Sequence, residues 1–269
     1  MTGDAWAAWS SNGWIQGATI LLGLLLGSFL NVVRTRLPEG ESLWGPRSRC
    51  PACRTTIRAV DNVPVLSYLL LKGRCRACGK GISWRYPAVE ILGALVLWMT
   101  LRMSPGPQEA AFSAVFSLSL VAVLFIDLDW QIIPDLITLP GTVLGILAGL
   151  WLDGGILPRL LGSCAGGLGL LALIRGYKLA TGIEGMGMGD VKLMAMVGAF
   201  LGWQGAVAVL LLGSLSGSLV GLALLALGRA KRQTALPFGT FLAPAAWVVL
   251  FWGRDLWESY RGLWTTLGG

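Results

Sequence analysis

The chain has 269 residues, of which 55% are hydrophobic and only 13% are charged, and its formal net charge is +7 at pH 7. Soluble globular domains carry about 25% charged residues, so this composition indicates a membrane protein. The sequence contains no histidine, which excludes serine–histidine proteases and metalloproteases that hold zinc through histidine. The candidates for chemistry are therefore its carboxylates and cysteines.

Hydrophobic segments close to the length of a bilayer span, about 20 residues each, recur along the chain. They predict an all-α polytopic membrane protein with about eight transmembrane helices, the sixth of them short. We expect no cleaved signal peptide, because the first 14 residues lack a basic segment and carry Trp6, Trp9 and Trp14, which suit an interfacial anchor. The predicted spans are about 14–33, 86–103, 110–127, 135–152, 156–174, 188–203, 205–227 and 237–252.

The basic residues predict how the chain is oriented in the membrane. Residues 34–85, between the first two spans, hold eleven of the 21 lysines and arginines. Cytoplasmic loops carry an excess of positive charge, so we expect this loop to face the cytoplasm. With eight spans, 17 basic residues then lie inside and four outside, and both termini lie outside. The positive charge follows from this bias and indicates no nucleic-acid partner.

Glycines recur at four-residue spacing within the predicted spans, for example at Gly23 and Gly27 and at Gly162 and Gly166. Small residues at this spacing let helix backbones approach closely. We therefore expect these glycines to mark contacts between membrane helices.

The loop between the first two spans contains two CxxC motifs separated by 21 residues. Four thiolates at this spacing can surround one tetrahedral zinc ion, which folds a loop that lacks a large core but leaves no open position for catalysis. Two disulfides or a redox pair are the alternatives, and a cytoplasmic location disfavours disulfides. The motifs therefore predict a structural zinc site with the ligands Cys50, Cys53, Cys75 and Cys78.

The same loop carries polar residues beside an apolar run. Asp61 and Asn62 precede the apolar residues 65–71, and Glu90 lies one turn into the second span. An acidic residue at that depth is costly and often functional. The sequence leaves open whether Glu90 has a functional role or simply pairs with Arg85 at the membrane interface.

Two further carboxylates, Asp127 and Asp190, each lie at the edge of a hydrophobic stretch. A carboxylate at the margin of a span is costly and marks function more often than packing. Two such groups brought together can share a proton and activate water, as in aspartyl proteases. Residue types alone do not separate Asp127 from Asp129, which we expect in the connecting turn. Pro134 fits a helix start, and this places Asp135 in the first turn of the next helix.

Asp190 follows a glycine-rich segment in which Gly185, Gly187 and Gly189 alternate with methionines. Such a loop can bring its backbone close to an extended peptide, and the methionines offer adaptable apolar contacts. Lys192, two residues beyond Asp190, points away from that carboxylate on a helix and is expected to snorkel to the interface. Four residues are candidates to shape the site or contact a substrate: Gly187, Gly189, Asp129 and Lys192.

Several motifs occur together in a fixed order between residues 27 and 244. They are Gly27-Ser28-Phe29-Leu30-Asn31-Val32-Val33 with Arg36-Leu37-Pro38, the two CxxC motifs with Asp61-Asn62, Arg85-Tyr86-Pro87 with Glu90, Ile126-Asp127-Leu128-Asp129 through Pro134-Asp135, Gly187-Met188-Gly189-Asp190-Val191-Lys192, and Pro237-Phe238-Gly239 with Pro244. On these motifs the chain resembles the type IV prepilin leader peptidases of the bifunctional kind, which cleave and then N-methylate pilin precursors.

The resemblance implies a catalytic pair formed by Asp190 and an aspartate at the end of the third span. The spacing of that aspartate from Ile133-Pro134-Asp135 selects Asp127. The resemblance also implies S-adenosylmethionine as methyl donor, with binding residues that we cannot name. It further implies prepilins or pseudopilins as substrates, and a bacterial inner-membrane location with the active site facing the cytoplasm.

The resemblance also implies a division of the chain into three parts. Residues 1–33 form an N-terminal transmembrane helix, residues 34–85 a zinc-binding loop associated with methyl transfer, and residues 86–269 a seven-helix aspartyl peptidase domain. The alternatives are a presenilin-like intramembrane protease, which shares the GxGD motif, a transporter, and a non-enzymatic assembly factor. The two CxxC motifs and the flanking motifs disfavour the presenilin-like protease, and a transporter needs no zinc-binding loop.

Overall fold

The structure is a computed structural model, and it describes residues 3–45, 47–152, 154–182, 186–229 and 236–267. Within these ranges the chain forms α-helices and short 3₁₀ turns but no β-strand, which confirms the predicted all-α fold. The helices are α1 Gly3–Ser10, α2 Gly13–Arg36, α3 Leu66–Leu70, α4 Arg85–Met103, α5 Pro107–Trp130, α6 Asp135–Leu147, α7 Ile156–Thr181, α8 Met188–Ala226 and α9 Gly239–Leu267.

Among the described helices, five are long and apolar enough to cross a membrane, namely α2, α4, α5, α7 and α8. The apolar segment Asp135–Leu150, which contains α6, is shorter. Helix α8 has 39 residues and is interrupted at Gly202, whose φ of 73° and ψ of 178° are not helical and suit glycine. This interruption divides α8 near the boundary between predicted spans 188–203 and 205–227. The predicted total of eight spans stays a prediction.

The chain divides into two compact units, Met1–Ile126 and Asp127–Gly269. In the first unit, α2 packs closely against α4. A Cβ atom added to Gly23 would lie 2.5 Å from Ala94 Cα, and one added to Gly27 would lie 2.6 Å from Glu90 Cα. The predicted role of this glycine pair in helix contact is confirmed. The predicted functional boundaries at residues 33/34 and 85/86 are not tested by this division.

Trp6 corrects one expectation about the N-terminal segment. Its side chain is buried, at 6% exposure, and its Nε1–H donates a hydrogen bond of 2.8 Å to the Ser104 carbonyl oxygen after α4. Trp6 is therefore a packing residue and not an interfacial anchor. Trp9 and Trp14 are exposed, as an interfacial position requires.

In the second unit, glycines also mediate the closest helix contacts. Gly162 of α7 and Gly198 of α8 face each other so closely that a Cβ on either would overlap the backbone of the other. Gly145 of α6 lies against Ala199 and Phe200 of α8. The side chains of larger residues would separate these helices, so the predicted close packing is confirmed here as well.

Candidate active site and metal centre

Asp127 lies in the last turn of α5, where its carbonyl oxygen accepts a hydrogen bond of 2.9 Å from Gln131 N–H. Its side chain is only 4% exposed. The Oδ2 atom accepts a hydrogen bond of 3.0 Å from the backbone N–H of Thr240, in the first turn of α9. The negative end of the α5 dipole disfavours an acid, and the positive end of the α9 dipole compensates for this.

Gly239, which begins α9, lies directly against the Asp127 carboxylate. A Cβ atom added to Gly239 would lie 2.9 Å from Asp127 Oδ2 and 3.1 Å from Ile133 Cδ1. Any larger residue would displace the carboxylate or Ile133. The Pro237-Phe238-Gly239 motif is visible in the sequence, but its contact with Asp127, like that of Thr240, could not be read from it.

Asp190 lies in the first turn of α8, as the glycine-rich segment before it predicted. Its side chain is 8% exposed. Its N–H donates a hydrogen bond of 3.2 Å to the Gly187 carbonyl oxygen. In return, Gly187 N–H donates one of 3.2 Å to Asp190 Oδ2. This reciprocal pair holds the carboxylate against the start of the helix. Gly185 lies outside the described residues.

Ile133 connects the surroundings of the two carboxylates within the second unit. It contacts Gly239 beside Asp127, and a Cβ atom added to Gly189 beside Asp190 would lie 3.0 Å from Ile133 Cβ. The two carboxylates are also close enough to interact electrostatically. The structure thus brings Asp127 and Asp190 into one buried site, with backbone N–H groups bound to each.

Two of the four predicted site-shaping residues have surroundings that the sequence did not indicate. Asp129 lies in the last turn of α5, not in the connecting turn, and helix residues two apart point in different directions. The Lys192 ammonium contacts both carboxylate oxygens of Asp135 at 2.7 Å. It therefore joins α8 to α6, which begins at Asp135 as predicted.

The four cysteines of the loop form one cluster. Their Sγ atoms all lie within 4.8 Å of one another, and Cys50 Sγ is 3.9 Å from Cys78 Sγ. A tetrahedral zinc ion with Zn–S bonds of about 2.3 Å places its sulfurs about 3.8 Å apart, so the cluster has the size of such a site. All four cysteines are free in this structure.

The two CxxC motifs adopt the same turn. Arg54 N–H donates to the Cys50 carbonyl oxygen and Gly79 N–H to the Cys75 carbonyl oxygen, both at 2.9 Å. Hydrogen bonds with Thr55 lower the pKa of the Cys53 thiol to about 6. Backbone hydrogen bonds from Cys78 and Ala77 lower the pKa of the Cys75 thiol. At these two residues the lowered pKa favours the thiolate, which is the form that binds metal.

One polar contact joins the cluster to the rest of the loop, and a second joins the loop to α4. Asp61 forms an ion pair with Arg76, next to Cys75, with a shortest distance of 2.6 Å. Hydrogen bonding with this guanidinium lowers the pKa of Asp61. Glu90 of α4, which is buried, accepts a hydrogen bond of 2.7 Å from Val65 N–H in the loop. The sequence did not indicate this contact of Glu90.

Comparison with known proteins identifies two matching family models and several similar relatives. Residues 21–103 match the bacterial peptidase A24 N-terminal domain, and residues 114–222 match the type IV leader peptidase family. The chain is 41% identical over 277 residues to a prepilin leader peptidase/N-methyltransferase of Aeromonas salmonicida (strain A449). This alignment covers 92% of the chain and 94% of the relative. A protein of the same description from Pseudomonas putida is 42% identical over 266 residues, covering 89% and 91%. No solved structure matches the chain.

Proposed function

Because the chain belongs to the type IV leader peptidase family, we propose that it cleaves the leader peptides of type IV prepilins or pseudopilins and then N-methylates the new N-terminus. The relatives described as prepilin leader peptidase/N-methyltransferase align with about nine-tenths of the chain. One observation supports the proposed peptidase activity: Asp127 and Asp190 form a buried pair. The segment that matches the N-terminal family domain contains the four-cysteine cluster, which supports a separate role for that part.

We propose that Asp127, and not Asp129, is the first catalytic acid. Asp127 accepts a hydrogen bond from Thr240 N–H at the start of α9, and it shares the neighbour Ile133 with the Asp190 segment. Asp129 is half-buried and lies two residues further along the same helix. We propose that Asp129, with Gly187, Gly189 and Lys192, shapes the site without reacting.

Cleavage needs one proton shared by the two carboxyls, because two carboxylates in contact do not readily ionise together. The ionised acid removes a proton from a water molecule, whose oxygen attacks the scissile carbonyl carbon while the neutral acid protonates the carbonyl oxygen. The tetrahedral intermediate then collapses and the C–N bond breaks. The acid that took the proton from water gives it to the leaving nitrogen, and the other acid takes back the proton from the former carbonyl oxygen. The products are the leader carboxylic acid and a new amine, and the pair returns to its starting protonation.

The backbone donors give each acid a fixed position for this work. Thr240 N–H binds one oxygen of Asp127, and Gly187 N–H binds one oxygen of Asp190. Donors that are already in place avoid the cost of reorganising polar groups during the reaction.

The substrate that fits this setting has a polar leader followed by an apolar helix. The apolar helix lies among the membrane spans, and the junction with the leader reaches the acids. We propose that both acids face the cytoplasm and that both termini lie outside, because this topology places 17 of the 21 basic residues inside. We propose that the protein is located in the inner membrane of a bacterium.

For methyl transfer we propose S-adenosylmethionine as the donor and zinc as the ion in the cysteine cluster. The Sγ separations fit a four-thiolate zinc site, which is closed and structural. S-adenosylmethionine supplies an electrophilic methyl group to the new amine, and we assign no residues to its binding. The role of Cys50, Cys53, Cys75 and Cys78 is to hold the loop in shape.

Reconstitution with a purified prepilin tests the cleavage proposal. Wild-type protein should release the leader at its junction with the apolar helix, and Asp127→Ala and Asp190→Ala should each abolish release. Asp129→Ala, the matched control on the same helix, should retain it. Cleavage within the apolar helix would favour a presenilin-like protease, and retained cleavage by either alanine variant would remove that residue from the mechanism.

A second assay separates the two activities. Cys75→Ser should lose most N-methylation of a pre-cleaved pilin while it keeps most leader cleavage, because the cluster lies in the unit Met1–Ile126 and both acids lie in the other. Equal loss of both activities would contradict a separate role for the cysteine loop.

A further inference from the structure

The cysteine loop exposes an apolar surface that neither proposed activity explains. Within 3₁₀ turn Ala59–Asn62, helix α3 and the residues between them, five apolar side chains are 43–73% exposed. We call these residues the apolar patch: Val60, Val63, Leu66, Leu69 and Leu70. Several exposed apolar side chains grouped in one short segment point to contact with a protein or a membrane.

Hydrogen bonds hold the apolar patch in its outward-facing arrangement. The Ser67 hydroxyl, which is buried, lies 2.8 Å from the Val63 carbonyl oxygen and 3.2 Å from that of Val60, and so joins α3 to the preceding turn. The Asp61–Arg76 ion pair fixes the turn to the second CxxC motif. Ser67 is therefore buried within this segment, while the five side chains of the apolar patch are exposed.

The contact with Glu90 sets the position of the apolar patch relative to the membrane. Val65, at the start of α3, is hydrogen-bonded to Glu90 in the second turn of the span α4. Trp84, immediately before α4, is 65% exposed, and tryptophan is enriched at the membrane–water interface. This hydrogen bond thus ties the start of α3 to the N-terminal part of the predicted span α4.

The charge around the apolar patch suits an anionic surface. Residues 34–85 contain eleven lysines and arginines against three acids, Glu39, Glu41 and Asp61. Arg58 and Lys72, which flank the patch on either side, are both exposed. Basic residues around an apolar face are the pattern of segments that lie in the headgroup region of anionic membranes.

We propose that the apolar patch inserts into the lipid boundary beside α4, so that the cysteine loop is a membrane-docked domain. Acyl chains contact Leu66, Leu69 and Leu70, and the phosphates of anionic headgroups bind the surrounding basic residues. This inference does not depend on the proposed activities, because it rests on exposure, charge and the Glu90 contact alone.

Site-specific photocrosslinking of the whole chain tests the proposal. A diazirine amino acid is placed at Leu69 or Leu70, or at Lys80, an exposed control position on the second CxxC turn. Each protein is reconstituted in nanodiscs of phosphatidylethanolamine and phosphatidylglycerol and irradiated. Lipid adducts should form several-fold more at the two leucines than at Lys80, and added prepilin should not reduce them. Equal labelling at Lys80, or adducts with prepilin or a second copy of the chain, would overturn it.

A variant pair checks that lipid contact follows from the apolar side chains. Leu69→Gln with Leu70→Gln should reduce lipid adducts formed from a diazirine at position 66 several-fold, with unchanged zinc content as evidence that the loop is folded. Undiminished adducts in this folded variant would contradict insertion of the patch.

Discussion

Replacing Gly239 with alanine should displace the Asp127 carboxylate without changing any charge in the site. The added Cβ would lie 2.9 Å from Asp127 Oδ2, about 0.5 Å closer than the 3.4 Å at which ordinary contacts begin, and catalytic groups need placement within about 0.5 Å. The carboxylate or α9 must move, and the hydrogen bond from Thr240 N–H lengthens. A misplacement of about 1 Å can cost about 100-fold in rate, so we expect kcat for leader cleavage to fall about 10-fold.

The assay is steady-state cleavage of a prepilin by the reconstituted protein, with kcat and KM separated. Gly217→Ala is the matched control, because its added Cβ would lie 3.4 Å from Phe241 Cδ2, an ordinary contact within the same unit. That control should keep wild-type kcat. A Gly239→Ala protein with wild-type thermal stability and undiminished kcat would refute the role of the α9 start in positioning Asp127.

Three further outcomes follow from the contacts described. Lys192→Ala and Asp135→Ala should reduce cleavage by the same modest factor, with no further loss in the double variant, because an ion pair this exposed contributes at most about 1 kcal/mol. Gly198→Ala should destabilise the protein by about 1–3 kcal/mol in thermal unfolding, whereas Gly169→Ala, whose Cβ meets no atom within 4 Å, should not. Metal analysis should find one zinc ion per chain, and Cys75→Ser should lose it.

The helices and the cysteine cluster were predictable because their signals are local. Apolar stretches of bilayer length give the membrane helices, and two CxxC motifs bring four thiols together whatever the rest of the loop does. The starts of α6 and α8 were also predictable from the sequence, the first from Pro134 and the second from the glycines before Met188. In each case a few neighbouring residues decide the conformation.

Contacts between distant segments were not predictable from one sequence. The bond from Thr240 to Asp127 joins residues 113 positions apart, and the ion pair of Lys192 with Asp135 joins residues 57 apart. Trp6 was misassigned for the same reason, since a tryptophan near a span end suits an interface until its partner Ser104 is known. Such pairings depend on how the helices pack, which hydrophobic patterning does not specify.

The proposed mechanism requires Asp127 and Asp190 to act as one unit on one water molecule. The most direct test compares leader cleavage by Asp127→Asn, Asp190→Asn and the double variant, each shown to be folded by its retained N-methylation of a pre-cleaved pilin. Members of one catalytic unit give losses that do not add, so each single variant should be as inactive as the double one. Substantial cleavage by either single variant, or a double variant whose loss is the product of the two, would contradict the paired mechanism.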